Sequence, residues 1–251
     1  MKNNILFGIL GMSLILISCR QAVKKTNVSD VVKKQTVQKQ IEYPLELKQC
    51  LALFPNTPLS YSLDSASLSY MIKESSKKGK KLNSTDVKFL TQKMNRDELT
   101  QPNYYYLNDF YKIDQYKKKG KYNLYLDSLD IGMTQDANCY AMAKLEYGDS
   151  LALLIWRLDY SSFAACPFYS GTHIMGTIIY GGKVKRTMQL AGYESAMDPP
   201  MDSETYQLVN ISKSGIIDRS LYINVLEEDQ IVENVKHFYI NRLTTQGFIK
   251  M

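Results

Sequence analysis

The side chains able to shuttle protons or hold a metal are few in this chain, and they do not cluster. Two histidines occur, His173 and His237. Zinc and related ions are held by imidazole, thiolate and carboxylate groups at short, recurring spacings, and neither histidine has a cysteine or an acid so placed. Both read as structural residues of strands: His173 opposite Leu190 near a strand end, His237 on one strand face with Val235 and Tyr239. The sequence contains no G-x-S-x-G, no H-E-x-x-H, no P-loop and no G-x-G-x-x-G. The acids Glu227, Glu228 and Asp229 are consecutive, as in a turn between strands. Glycoside hydrolysis needs two carboxylates, which distant strands can supply, so that chemistry leaves no local signature. No metal and no cofactor is expected.

Tyrosine is abundant, with 19 in the chain, and Tyr104, Tyr105 and Tyr106 are adjacent. A phenol ring joins an apolar face to a hydroxyl, so an exposed cluster suits sugars or protein partners. The packing alternative has alternate members of the cluster beneath helices and the remaining one at the rim.

The N-terminus carries the one specific motif. Lys2 supplies a positive charge, and Ile5 to Ile17 is a weakly polar to apolar run. It is shorter than the about 20 residues a spanning helix needs, and has the length of a secretory signal core. It ends Leu16-Ile17-Ser18-Cys19, which resembles the lipobox of bacterial lipoproteins. That resemblance covers residues 1–19. It implies a diacylglycerol on the Cys19 thiol, cleavage after Ser18 and acylation of the new amino group, so that membrane lipid is the first partner. Arg20, Lys24 and Lys25 follow, and no acid appears before Asp30. An Asp directly after the cysteine would resemble an inner-membrane retention signal, and early acids would resemble surface-displayed lipoproteins of Bacteroidetes. The expectation is an outer-membrane anchor facing the periplasm.

Composition bounds the rest. The chain has 251 residues, 45% hydrophobic and 22% charged, enough to fill a core. The net charge is +6 and the pI about 8.9. The lysines sit in short runs, 77–81 and 117–121, of the kind found in solvated turns. Contact with anionic lipid headgroups is the functional alternative, and an anchored envelope protein meets no nucleic acid.

Residues 20–43 are rich in Lys, Gln, Val and Thr without a helical stripe, and read as a flexible tether. Residues 44–251 read as one globular domain, mainly helical over 44–103 and antiparallel β over 104–251. Leu47, Cys50, Leu51 and Phe54 have helical spacing after Pro44. A second helix is predicted to start at Ser84 or Thr85, with Val87, Leu90 and Met94 as its stripe. Residues 56–83 read as loop, with one helical turn near Leu68 to Ile72.

From Tyr104 the period changes to two, and about eight strands are predicted in hairpin succession. A hairpin turning at Gly148-Asp149 sets Tyr147 against Ser150, Leu145 against Ala152, Ala143 against Leu154, and Ala141 against Trp156. A second, turning at Gly181-Gly182, sets Ile179 against Val184 and Met175 against Met188, with Lys183, Lys185, Thr187 and Gln189 on the other face. Ile217, Leu221, Ile223 and Val225 alternate with polar residues in a further strand. The fold class is therefore α+β: short N-terminal helices, then a long antiparallel β-meander forming a barrel-like or sandwich-like sheet. The tyrosine cluster, the hairpins and a last strand near Gly247-Phe248 together resemble uncharacterised Bacteroidetes lipoproteins, a resemblance that implies no chemistry.

With Cys19 lipidated, Cys50, Cys139 and Cys166 remain. The first hairpin puts Cys139 opposite Leu158 at its open end, and Cys166 lies in the connection leaving that end. A Cys139–Cys166 disulfide is expected, with Cys50 a buried free thiol. The functional expectation is a non-enzymatic envelope module that binds a protein or glycan. The alternative is an anchored glycan-acting hydrolase using paired carboxylates.

Overall fold

The computed structural model describes residues 44–73, 79–94, 101–164, 168–198, 200–228 and 230–251, without the side chains of 101–105 and 168. The signal segment with Cys19, the tether and Cys166 lie outside the described residues.

Helix α1 (Leu45–Leu51) follows Pro44 and buries Leu47 and Cys50. The segment expected to be loop holds more structure than its composition suggested. Helix α2 (Ser65–Lys73) extends the single turn expected near Leu68 to Ile72, and strands β1 (Tyr61–Leu63) and β2 (Lys80–Leu82) were not foreseen. Asp64 starts α2 by accepting a 2.7 Å hydrogen bond from the Ser67 amide. Helix α3 (Ser84–Thr91) is capped one residue earlier than predicted. Asn83 accepts from the Thr85 and Asp86 amides, and the Asp86 side chain accepts from the Asn83 amide, a reciprocal capping box.

The larger correction lies at Tyr104. Residues there form helix α4 (Gln101–Lys118), followed by α5 (Tyr122–Leu126), and the long strands start only at Thr134. Aromatic residues favour strands, but burial in this stretch falls on Tyr106, Leu107, Phe110 and Ile113. Those positions lie on one helical face.

The meander then runs β3 (Thr134–Tyr147), β4 (Leu151–Ser162), β5 (Phe168–Tyr180), β6 (Lys183–Asp198), β7 (Met201–Ile211), β8 (Ile216–Glu227), β9 (Gln230–Thr244) and β10 (Gly247–Lys250). Each pairs antiparallel with the next; β2 adds beyond β3, and β1 pairs with β7. The ten-stranded sheet does not close into a barrel, since β10 and β2 stand at opposite ends of the strand order.

One core joins Leu154, Trp156, Leu158 and Met175 to Leu47, Val87, Leu90, Phe110 and Ile113 of the helices. A second core joins Leu153, Ile155, Ile174 and Ile178 to Val209, Ile211, Ile217, Leu243 and Phe248 from the later strands. The central strands are therefore buried on both faces, which explains the near-continuous apolar run Leu153 to Trp156.

Bulges set the registers. The first hairpin turns through three residues, so Tyr147 pairs with Leu151, Leu145 with Leu153 and Ala143 with Ile155, one off the prediction. An extra residue at Met142 absorbs the offset, and the expected pairs Ala141–Trp156 and Cys139–Leu158 are restored. The second hairpin does have the two-residue turn: Gly181 and Gly182 take φ of 56° and 76°, and Tyr180 pairs with Lys183. Ile179 faces Val184 as predicted, but Lys185 and then Leu190 are extra residues on β6. Met175 therefore pairs with Gln189 rather than Met188, and His173 with Gly192 rather than Leu190. Thr187, assigned to a wet face, is fully buried.

Candidate functional site

The displacement at Leu190 builds the most unusual polar environment among the described residues. His173 on β5 has Leu158 on one side and Gly192 on the other. A ring of aromatic and acidic groups closes over it. Tyr160 of β4 stacks on the imidazole with centroids 5.0 Å apart, and Tyr106 of α4 stacks on Tyr160 at 3.4 Å. The Tyr160 hydroxyl donates a 2.5 Å hydrogen bond to Glu194 Oε2. The same carboxylate oxygen lies 3.7 Å from His173 Nε2, too far for a hydrogen bond.

His173 is 3% exposed, and neither ring nitrogen has a hydrogen-bond partner among the described residues. Burial pushes its pKa down to about 3, so the ring is neutral and its approach to Glu194 is a contact between a neutral ring and a carboxyl group. Burial raises the Glu194 pKa, and the Tyr160 hydrogen bond partly offsets that. An unsatisfied buried polar group costs about 1–3 kcal/mol, which makes this histidine exceptional in a native interior.

On its open side His173 lines a cleft of about 200 Å³, together with Gln189, Glu194, Thr205 and Gln207 and the apolar side chains of Leu221 and Ile223. The cleft sits where two strands part. β7 pairs with β6 only as far as Gln207–Gly192, then turns to β1 at Val209. The bulge frees backbone carbonyls from the ladder, and side chains satisfy them. Gln207 Nε2 donates to Leu190 O at 3.2 Å, and Arg219 Nη1 to Gln189 O at 2.9 Å. Glycine at 192 keeps the floor open, because a Cβ there would lie 2.7 Å from Thr172 O and 3.1 Å from Gln189 Nε2. Gly171 serves Tyr160 similarly: its Cβ would meet the phenol oxygen at 2.5 Å.

Among the described residues, burial raises the pKa of two carboxylates, Asp159 and Glu194. Asp159 pairs across strands with Thr172 and Glu194 with Gly171. Adjacent residues of one strand point to opposite faces, so these carboxylates lie on opposite faces of the sheet. Asp159 instead accepts from Thr172 Oγ1 at 2.8 Å and lies 3.2 Å from Arg157 Nε.

The other residues singled out from the sequence do not gather here. His237 is exposed on β9, its ring 6.3 Å from that of Tyr239. Cys50 and Cys139 are buried thiols; burial pushes Cys50 up to about 12 and Cys139 well above its ordinary value. The expected bond from Cys139 to Cys166 reaches outside the described residues. Tyr106 packs against the sheet, while the side chains of Tyr104 and Tyr105 are outside the description. Glu194, Tyr160, Gln189 and Gln207 were not legible as a group. The nearest signal was Gly171 and Gly192 inside strands, where glycine marks close approach of neighbouring atoms.

No group of three or more His, Cys, Asp or Glu residues is placed to hold a metal among the described residues. Fold and site together define an α+β protein with an open antiparallel sheet and a small polar cleft at a strand fork. Comparison with protein-family models, curated proteins and solved structures finds no match.

Proposed function

We propose that the chain is a lipid-anchored envelope protein, held at Cys19 on the periplasmic side of an outer membrane, that binds a polar group of an envelope component in the His173 cleft. The observation that carries this reading is His173 itself, buried with two unsatisfied nitrogens in the wall of an open cleft. A bound group completes hydrogen bonds that the fold leaves unmade. Binding is favoured over catalysis because an imidazole with a pKa of about 3 is a weak base at neutral pH. The hydrolase alternative needs two carboxylates on either side of one bond, and the two that burial raises lie on opposite faces of the sheet.

The test uses the full chain produced with its signal. Palmitate labelling and detergent partitioning are expected, both lost in Cys19→Ala. Soluble cell-wall fragments and solubilised envelope proteins are then added to the protein labelled at its histidine rings. A saturable shift of the His173 resonances without turnover supports the reading. Release of new reducing ends, abolished by Glu194→Gln, would overturn it in favour of the hydrolase.

A further inference from the structure

The hydrogen-bonding inventory of the cleft narrows what it can hold. Glu194 has one carboxylate oxygen beyond the Tyr160 bond. Gln207 spends one amide N–H on Leu190 O, which leaves its second N–H as a donor and its carbonyl oxygen as an acceptor. Thr205 brings a hydroxyl to the lining, able to donate and accept. Neutral His173 offers one N–H and one lone pair, both unused. The set mixes donors with acceptors and is not of one sign.

Two classes fit the lining poorly. It holds the Glu194 carboxyl and no lysine or arginine, so an anion would face Glu194 without a counter-charge. A donor-only ammonium would leave the His173 and Gln207 N–H groups unmet. A neutral group carrying several hydroxyls meets both needs, since each hydroxyl donates and accepts. Leu221 and Ile223 then supply an apolar wall for a C–H face. The volume of about 200 Å³ is below the roughly 300–1,000 Å³ of pockets for drug-sized ligands. It suits one ring and not an extended chain.

We infer that the cleft recognises a single neutral, hydroxyl-rich ring, the size of one pyranose unit, whose hydroxyls bond His173, Glu194, Thr205 and Gln207. This rests on the reading of the cleft as the binding site. The ring is a terminal or branching sugar of an envelope glycan, because only one unit fits.

The chain has two histidines, so ring-labelled protein gives two sets of imidazole signals, and exposed His237 on β9 is an internal control. Methyl glucoside, methyl galactoside and methyl N-acetylglucosaminide serve as neutral probes, butylamine as the cation and acetate as the anion. A saturable shift at His173 but not His237 is expected with at least one pyranoside, and with neither charged probe. Thr205→Val, which keeps the side-chain shape, should weaken that binding about tenfold, the worth of one hydrogen bond. Thr205→Ser should retain it. A His173 shift with butylamine or acetate alone would overturn the ligand class while leaving the cleft as a binding site. No shift with any probe would overturn both and leave the cleft to solvent.

Discussion

The Trp156 indole N–H donates a 3.0 Å hydrogen bond to Thr177 Oγ1 on the neighbouring strand, and both residues are fully buried. The bond begins a chain. The Thr177 and Thr187 hydroxyls are 3.0 Å apart, and Thr187 Oγ1 donates to Leu90 O at 2.6 Å. Leu90 lies in the last turn of α3, so side chains of β4, β5 and β6 satisfy a terminal helix carbonyl and pin that helix to the sheet.

Thr177→Val conserves shape but leaves the indole N–H without its acceptor. A loss of about 1–3 kcal/mol is expected in denaturant unfolding, the cost of an unsatisfied buried donor. Thr187→Val should show a comparable loss and looser α3 amides in hydrogen exchange. Midpoints within about 0.5 kcal/mol of the parent for both variants would contradict the network.

Trp156 is the only tryptophan, so fluorescence reports this site alone. Its emission should be blue-shifted in the folded protein and move to the red on unfolding. Trp156→Ala should cost about 3–5 kcal/mol through lost transfer and cavity terms together. Native emission like that of free tryptophan would contradict the pairing of Trp156 with Ala141.

Acid should weaken the fold through His173. Its folded-state pKa is lowered to about 3 from 6.5, so between those values the unfolded chain binds the extra proton. Stability is thus full above pH 6.5 and falls below it, by at most about 1.4 kcal/mol per unit. Glu194 faces the ring from β6, and Tyr160 and Tyr106 face it from β4 and α4. The raised Glu194 acts in the opposite sense, losing stability as pH rises past the ordinary carboxylate range. His173→Phe should flatten the slope between about pH 4.5 and 6.5 in denaturant midpoints. A variant as acid-sensitive as the parent would show that other groups carry the effect.

Gly192→Ala should close the cleft from below. The added methyl carbon meets backbone at Thr172 O, so β5 and β6 must separate locally, at about 1–3 kcal/mol. Gly215→Ala, at the β7–β8 turn with a φ of 78°, is a control for glycine strain that leaves the cleft alone. Equal effects of the two on His173 resonances would remove Gly192 from the cleft floor.

Local chemistry is what the linear sequence carries, and it determined the parts of this protein that local chemistry builds. The proposed anchor rests on the Leu16-Ile17-Ser18-Cys19 string alone, since a processing signal of that kind would be recognised as a linear string. The hairpin at Gly181-Gly182, the helix after Asn83 and the strand from Ile216 to Glu227 were readable because turn residues and periodicity act within a few positions. Tyr104 to Lys118 misled because its aromatic residues suit a strand, and only the packing of Phe110 and Ile113 against the sheet reveals a helical face. Tertiary structure alone decided the bulges at Met142, Lys185 and Leu190. A bulge forms where two strands with different packing demands must stay paired, and neither strand encodes that by itself. The two residues inserted at Lys185 and Leu190 together moved His173 from Leu190 to Gly192, and so made a cleft where the sequence shows only an ordinary strand histidine.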